Sequence, residues 1–193
     1  MEAKFTLVVL CFLLALSFGK RCLSKRDWLL LILAMAFTVA ADFFLTILFI
    51  YPVGVAIFCF AHVFYALRYG GNRIWRFFPL ALPLPITLAI VMGDVLLVVS
   101  SLYAGLFVIS YIMALRAISS KKYPAPNNTL VVAGMSLFVL CDICVAIFNL
   151  AGMGIINHIL GELAVDAIWL FYAPAQICLA LSGMRFYTER PKC

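Results

Sequence analysis

Charge is what this sequence has least of. Asp, Glu, Lys and Arg together make up only 11% of it, against 67% apolar residues. A soluble domain carries roughly 25% charged residues, so no soluble domain is concealed along the chain. The few Lys and Arg residues sit in short clusters between apolar runs. That is the pattern of loops flanking membrane spans, so the net charge of +6 does not indicate a nucleic-acid partner. No Lys lies inside an apolar run, which excludes a retinal-type Schiff base. No Gly-x-Ser-x-Gly occurs, so serine lipase chemistry has no nucleophile elbow. The seven cysteines (Cys11, Cys22, Cys59, Cys141, Cys144, Cys178 and Cys193) are odd in number and mostly inside apolar runs, which argues against a disulfide framework. Cys141 and Cys144 form a Cys-x-x-Cys around Asp142, but no further His or Cys pair lies near enough to complete a metal site.

What the chain does have is length in hydrocarbon-compatible runs, with a mean hydropathy of +1.16. The expected fold is all-α: a polytopic transmembrane helical bundle forming one domain over residues 1–193, with helices at about 5–18, 28–50, 53–67, 77–92, 95–115, 129–150 and 163–184. Each run offers roughly 15–23 residues, against the ~20 that cross ~30 Å of hydrocarbon. A secretory signal peptide also fits the first run. Its weak cleavage-like Ala15-Leu16-Ser17 is followed at once by Lys20, Arg21, Lys25 and Arg26, however, and such charge hinders export, so a retained helix is expected. Basic residues recur at Lys20–Arg26, at Arg68, Arg73 and Arg76, at Arg116, Lys121 and Lys122, and at Arg185, Arg190 and Lys192. The connections near Tyr51-Pro52, Gly93-Asp94 and 151–162 contain none. This alternation predicts a multi-pass integral membrane protein with its N-terminus outside and its C-terminus cytoplasmic.

Two acids stand alone within these runs: Asp42, in AFTVAADFFLTILFI, and Asp142, in LVVAGMSLFVLCDICVAIFNL. A carboxylate in hydrocarbon costs roughly 2.5 kcal/mol or more and ordinarily faces a partner or a wet cavity. Asp42 lies ~21 Å along its helix from Trp28 and Asp142 ~20 Å along from Thr129, at a rise of ~1.5 Å per residue, so parallel helices would hold both at one level. His62 lies on the descending helix between them in sequence. His62 and Tyr65 share a face at i, i+3, Tyr172 and Gln176 at i, i+4, and Asn149 follows Asp142 by two turns. The bland alternative is that such polar side chains merely tie helices together. The remaining acids are expected at exposed or interfacial places: Glu2, Asp27 and Glu189 at ends, Asp94 at the outer interface, and Glu162 and Asp166 on one face of the last helix.

Two carboxyls held close together in a buried site do not both ionise, which leaves one protonated and one ionised, the arrangement of a general acid and base. Such a pair cleaves acetal-like or enol-ether bonds through an oxocarbenium-like cation. The same pair could instead carry protons in a transporter or serve a lipid carrier, and residue chemistry leaves both readings open.

The stretch Ala41-Asp42-Phe43-Phe44-Leu45, with Ala61-His62-Val63-Phe64-Tyr65, then Gly134-Met135-Ser136-Leu137-Phe138-Val139-Leu140-Cys141-Asp142, and finally Tyr172 and Gln176, resembles the YhhN family of lysoplasmalogenases over about residues 30–183. The family pattern is a small residue-Asp-x-x-Leu, Ala-His-x-x-Tyr, Leu-Phe-x-x-Ser-Asp and Tyr-x-x-x-Gln. The resemblance implies a hydrolase that cleaves the vinyl ether of a lysoplasmalogen (a lysophospholipid) to a fatty aldehyde and glycerophosphoethanolamine or glycerophosphocholine. It also implies that Asp42 and Asp142 are catalytic. On the acid/base mechanism these two suggest, His62, Tyr65, Asn149, Tyr172 and Gln176 are expected to bind or orient substrate, with no metal or organic cofactor needed. The family usually has eight helices where seven are counted here, and its Gly or Ser before each aspartate is replaced by Ala41 and Cys141.

Overall fold

The computed structural model describes residues 2–186 and, within them, seven α-helices. These are α1 (Glu2–Ser17), α2 (Lys25–Thr46), α3 (Tyr51–Gly70), α4 (Pro83–Val91), α5 (Val95–Ser119), α6 (Asn127–Gly152) and α7 (His158–Leu181). Helix starts follow local chemistry. Ser24 accepts from the Asp27 N–H at 3.1 Å to cap α2, Asp94 accepts from Leu97 N–H at 3.1 Å to cap α5, and Asn157 accepts from Ile159 N–H at 2.9 Å to cap α7. Pro52 occupies the first turn of α3, where its missing N–H has no helical carbonyl to serve.

Five helices, α2, α3, α5, α6 and α7, are long and apolar enough to cross a membrane, as in a multi-pass integral membrane protein. The expectation of a full span at 77–92 is corrected. Gly71–Arg76 and Phe78–Ala81 are 3-10 turns, and α4 has only 9 residues, or ~14 Å of helix. Pro79, Pro83 and Pro85 explain this: each lacks an amide hydrogen and is disfavoured inside a helix, so helix begins only where the last two fall within a first turn. Elsewhere the helices run a few residues beyond or short of the expected limits. The largest difference is at α7, which begins at His158 rather than 163 because Asn157 caps it there; α2 stops early, at Thr46, because a tight turn with Phe49 at φ 57° leads directly into α3.

Helices α2 and α3 form one antiparallel hairpin and α6 and α7 another; α5 packs on α3 and touches α6, and α1 packs on both α2 and α7. The result is a ring in the order α1, α2, α3, α5, α6, α7, with α4 packed mainly against α5 on its outside. The ring closes at the segment following α1. There Arg185 N–H donates to Arg21 C=O at 2.7 Å, and Cys22 pairs with Met184. Glycines allow the closest approaches within each hairpin: a Cβ at Gly54 would lie 3.1 Å from Ala41 C=O, and one at Gly134 would lie 3.2 Å from Ala175 C=O. Large apolar side chains such as Leu80, Ile90 and Leu170 point outward, as expected of a surface solvated by lipid tails.

The end of the ring where α2 begins and α3, α5 and α7 finish is closed by a polar knot. Arg68, only 1% exposed, donates from Nε and Nη2 to both oxygens of Asp27, at 3.1 and 2.9 Å, and from Nη1 to Ser182 Oγ at 2.8 Å. Tyr123 donates to Asp27 Oδ1 at 2.6 Å; burial holds its hydroxyl above the ordinary range, so the donated proton stays in place. Lys122 Nζ donates to the carbonyls of Arg68 and Tyr69, and Asn127 Nδ2 donates to those of Ser182 and Met184. Asp27 is therefore not the solvated terminal acid that its sequence position suggests. Its helix start is packed against two other helix ends, and the Arg68 guanidinium, helped by the Tyr123 hydroxyl, makes that burial tolerable.

Candidate active site

Asp42 and Asp142 both turn toward the interior of the ring, and each is held by a tyrosine from a different helix. Tyr172 on α7 donates its hydroxyl to Asp42 Oδ2 at 2.6 Å, and Tyr103 on α5 donates to Asp142 Oδ2 at 2.5 Å. Each bond is short for an O–H···O contact. Asp42 is 7% exposed and Asp142 half-buried. The buried Cys141 thiol lies within electrostatic reach of both carboxyls, so the two acids share one neighbourhood. A chain of rings joins the two acid–tyrosine pairs. Tyr172 lies 5.5 Å from Phe138, Phe138 lies 5.4 Å from His62, and His62 lies 5.1 Å from Tyr103, centroid to centroid.

His62 is fully buried among these rings, and its hydrogen bonding assigns its tautomer. Ser110 Oγ donates its single hydrogen to Phe107 C=O at 2.8 Å and lies 3.0 Å from His62 Nδ1. With that hydrogen committed, Ser110 accepts from Nδ1–H, so Nε2 carries a free lone pair. Nε2 has no partner among the described residues, and neither has the Tyr65 hydroxyl or either end of the Gln176 amide, all buried. The Tyr65 hydroxyl lies near Thr38, which gives its own hydrogen to Ala34 C=O at 3.0 Å and so could only accept from the tyrosine. A buried polar group left unsatisfied costs about 1–3 kcal/mol. Several of them lining one interior mark a place built for water or a polar ligand.

Of the residues singled out from sequence, the structure brings Asp42, His62, Tyr65, Asp142, Tyr172 and Gln176 into the ring. Asn149 is not among them. It is exposed on α6, and its amide donates back to Val145 C=O at 2.8 Å. Seven positions leave a drift of only ~20°, so Asn149 keeps close to the face of Asp142; it is exposed because it lies near the end of α6, where Phe148 and Leu150 beside it are exposed too. Glu162 and Asp166 are exposed near the start of α7, Glu162 beside His158 at 3.5 Å. Glu189 lies outside the described residues. Sequence reasoning missed Tyr103 and Ser110. The available signal was their spacing with Phe107, at i, i+4 and i+7 on one face of α5.

The YhhN family profile matches residues 2–183. The chain belongs to the YhhN family. This family includes lysoplasmalogenases. No curated protein and no solved structure gives a significant match. Within the matched span lie all six helices of the ring and every interior polar residue described above, so the acid–tyrosine pairs belong to the part of the chain that this YhhN protein shares with its family.

Proposed function

We propose that this YhhN protein hydrolyses the vinyl ether of a lysoplasmalogen by general acid/base catalysis between Asp42 and Asp142. The observation that carries the reading is the matched pair of tyrosine-held carboxyls opening on an interior with unpartnered polar groups. Each tyrosine engages Oδ2 and leaves Oδ1 as the oxygen that reacts. The protonated carboxyl delivers its proton to the β-carbon of the vinyl ether, and the positive charge develops on the α-carbon and ether oxygen. The ionised carboxyl stabilises that oxocarbenium and takes a proton from the water that attacks it. The hemiacetal then collapses to a fatty aldehyde and the glycerophospho-alcohol, so one water is consumed overall. His62 Nε2, as an acceptor, and the Gln176 amide, as donor and acceptor, suit the orientation of that water, and the Tyr65 hydroxyl suits the ether oxygen.

The deciding experiment is aldehyde release from lysoplasmenylethanolamine by the purified chain in detergent. Hydrolysis needs no gradient. A proton-coupled transporter using the same acids would instead move solute across sealed vesicles and leave the lipid whole, and that outcome would sink the reading. Tyr103→Phe and Tyr172→Phe are each expected to lower kcat by about tenfold to about a hundredfold, because a hydrogen bond to a charged group contributes about 1.5–3 kcal/mol. Full activity in both variants would mean that the tyrosines do not position the reacting oxygens.

A further inference from the structure

Outside the ring, the 3-10 turn after α3 and the last turns of α5 enclose a second site of different character. Arg73, Arg76 and Arg116 line a cavity of about 320 Å³ at the same end of the molecule as the Asp27–Arg68 knot. No carboxylate lines it, and none of the three guanidiniums forms an ion pair among the described residues. Three uncompensated guanidiniums around one concavity suit a phosphate-type oxyanion, whose oxygens they can share. The cavity adjoins an apolar groove of about 470 Å³ between α4 and α5: Phe77, Met113 and Arg116 line both, and the Arg116 guanidinium sits 5.3 Å over the Phe77 ring where they meet.

We propose that this surface binds an anionic phospholipid, with the phosphate held by Arg73, Arg76 and Arg116 and one acyl chain lying along α5. The groove decides for a lipid over a soluble anion, since an aqueous phosphate has no use for an apolar trough leading away from its charge site. The groove also opens onto lipid-facing surface, where Leu80 and Val108 are exposed. It is distinct from the interior acids. Ser101, Gly105, Val108 and Ile112 line it from one face of α5, and Tyr103, Phe107 and Ser110 occupy the opposite face. The proposal therefore stands whether or not the interior catalyses vinyl ether hydrolysis.

The test is lipid retention by the full chain in an uncharged detergent, read by native mass spectrometry after addition of phosphatidylglycerol or phosphatidylcholine of equal chain length. Phosphatidylglycerol is expected to be retained at least about tenfold better, and that preference to be lost when Arg73, Arg76 and Arg116 are all replaced by Gln. Ala104 is exposed in the groove, so Ala104→Trp fills the trough while leaving the arginines and the core in place; it is expected to weaken retention of phosphatidylglycerol several-fold. Equal retention of the two lipids overturns the proposal, and so does a preference that survives in the triple variant. Unchanged retention in Ala104→Trp shows that no chain lies in the groove. Displacement of the lipid by inorganic phosphate at equal concentration identifies a free-anion site instead.

Discussion

Asp42→Asn and Asp142→Asn are each expected to reduce vinyl ether hydrolysis by about a thousandfold or more while leaving a folded protein that still binds lysolipid. A positioned acid or base contributes about 10²–10⁴ in rate, and here each carboxyl is already fixed by its own tyrosine, at 2.6 Å for Asp42 and 2.5 Å for Asp142. The amide is nearly isosteric, keeps an oxygen to accept the tyrosine hydrogen bond, and removes the cost of a buried charge, so folding should not suffer. The double variant should be scarcely slower than either single one, because groups that act as one unit are strongly non-additive. Activity should follow a bell-shaped pH profile. At low pH both carboxyls are protonated and no base remains; at high pH both are ionised and no acid remains. Independent losses that multiply in the double variant would show that the two acids do not work together, and the mechanism would fall although the fold would not.

The second large effect concerns stability. Arg68→Ala is expected to destabilise the chain by about 3–5 kcal/mol, since it leaves the buried Asp27 carboxylate without its counter-charge. The loss should appear as a lower unfolding midpoint in detergent. Arg68→Lys should recover little of it: an ammonium cannot donate to both Asp27 oxygens and to Ser182 Oγ in the forked geometry that the guanidinium uses. Replacing both partners, Asp27→Leu with Arg68→Met, should be much milder than either single loss, because neither charge is then stranded. A loss below about 1 kcal/mol in Arg68→Ala would mean that water reaches the pair and that the knot does not hold the helix ends together. The consequence extends to the interior site, because α2, α3 and α7, which the knot joins directly, carry Asp42, His62, Tyr65, Tyr172 and Gln176.

The sequence by itself determined the membrane character of the chain, its all-α class, and the helices that carry the two acids. Hydropathy and the cost of a charge in hydrocarbon act on each segment separately, so they can be read without knowing what lies beside it. The motifs likewise put Asp42, His62, Tyr65, Asp142, Tyr172 and Gln176 on helices that do meet. Helix length was legible only where proline did not intervene, and the run at 77–92 looked like a span because its hydropathy conceals three residues that cannot donate a backbone hydrogen bond. What only the tertiary structure decided is partnership. Tyr103 lies 39 residues from Asp142, Tyr172 lies 130 from Asp42, and Arg68 lies 41 from Asp27. No local period encodes which helix becomes a neighbour, so the tyrosine on each carboxyl, the tautomer of His62 and the burial of Asp27 emerge only when the ring closes. Asn149 is the converse case: its spacing from Asp142 promised a shared face, but it lies near the end of α6, where neighbouring helices no longer cover it.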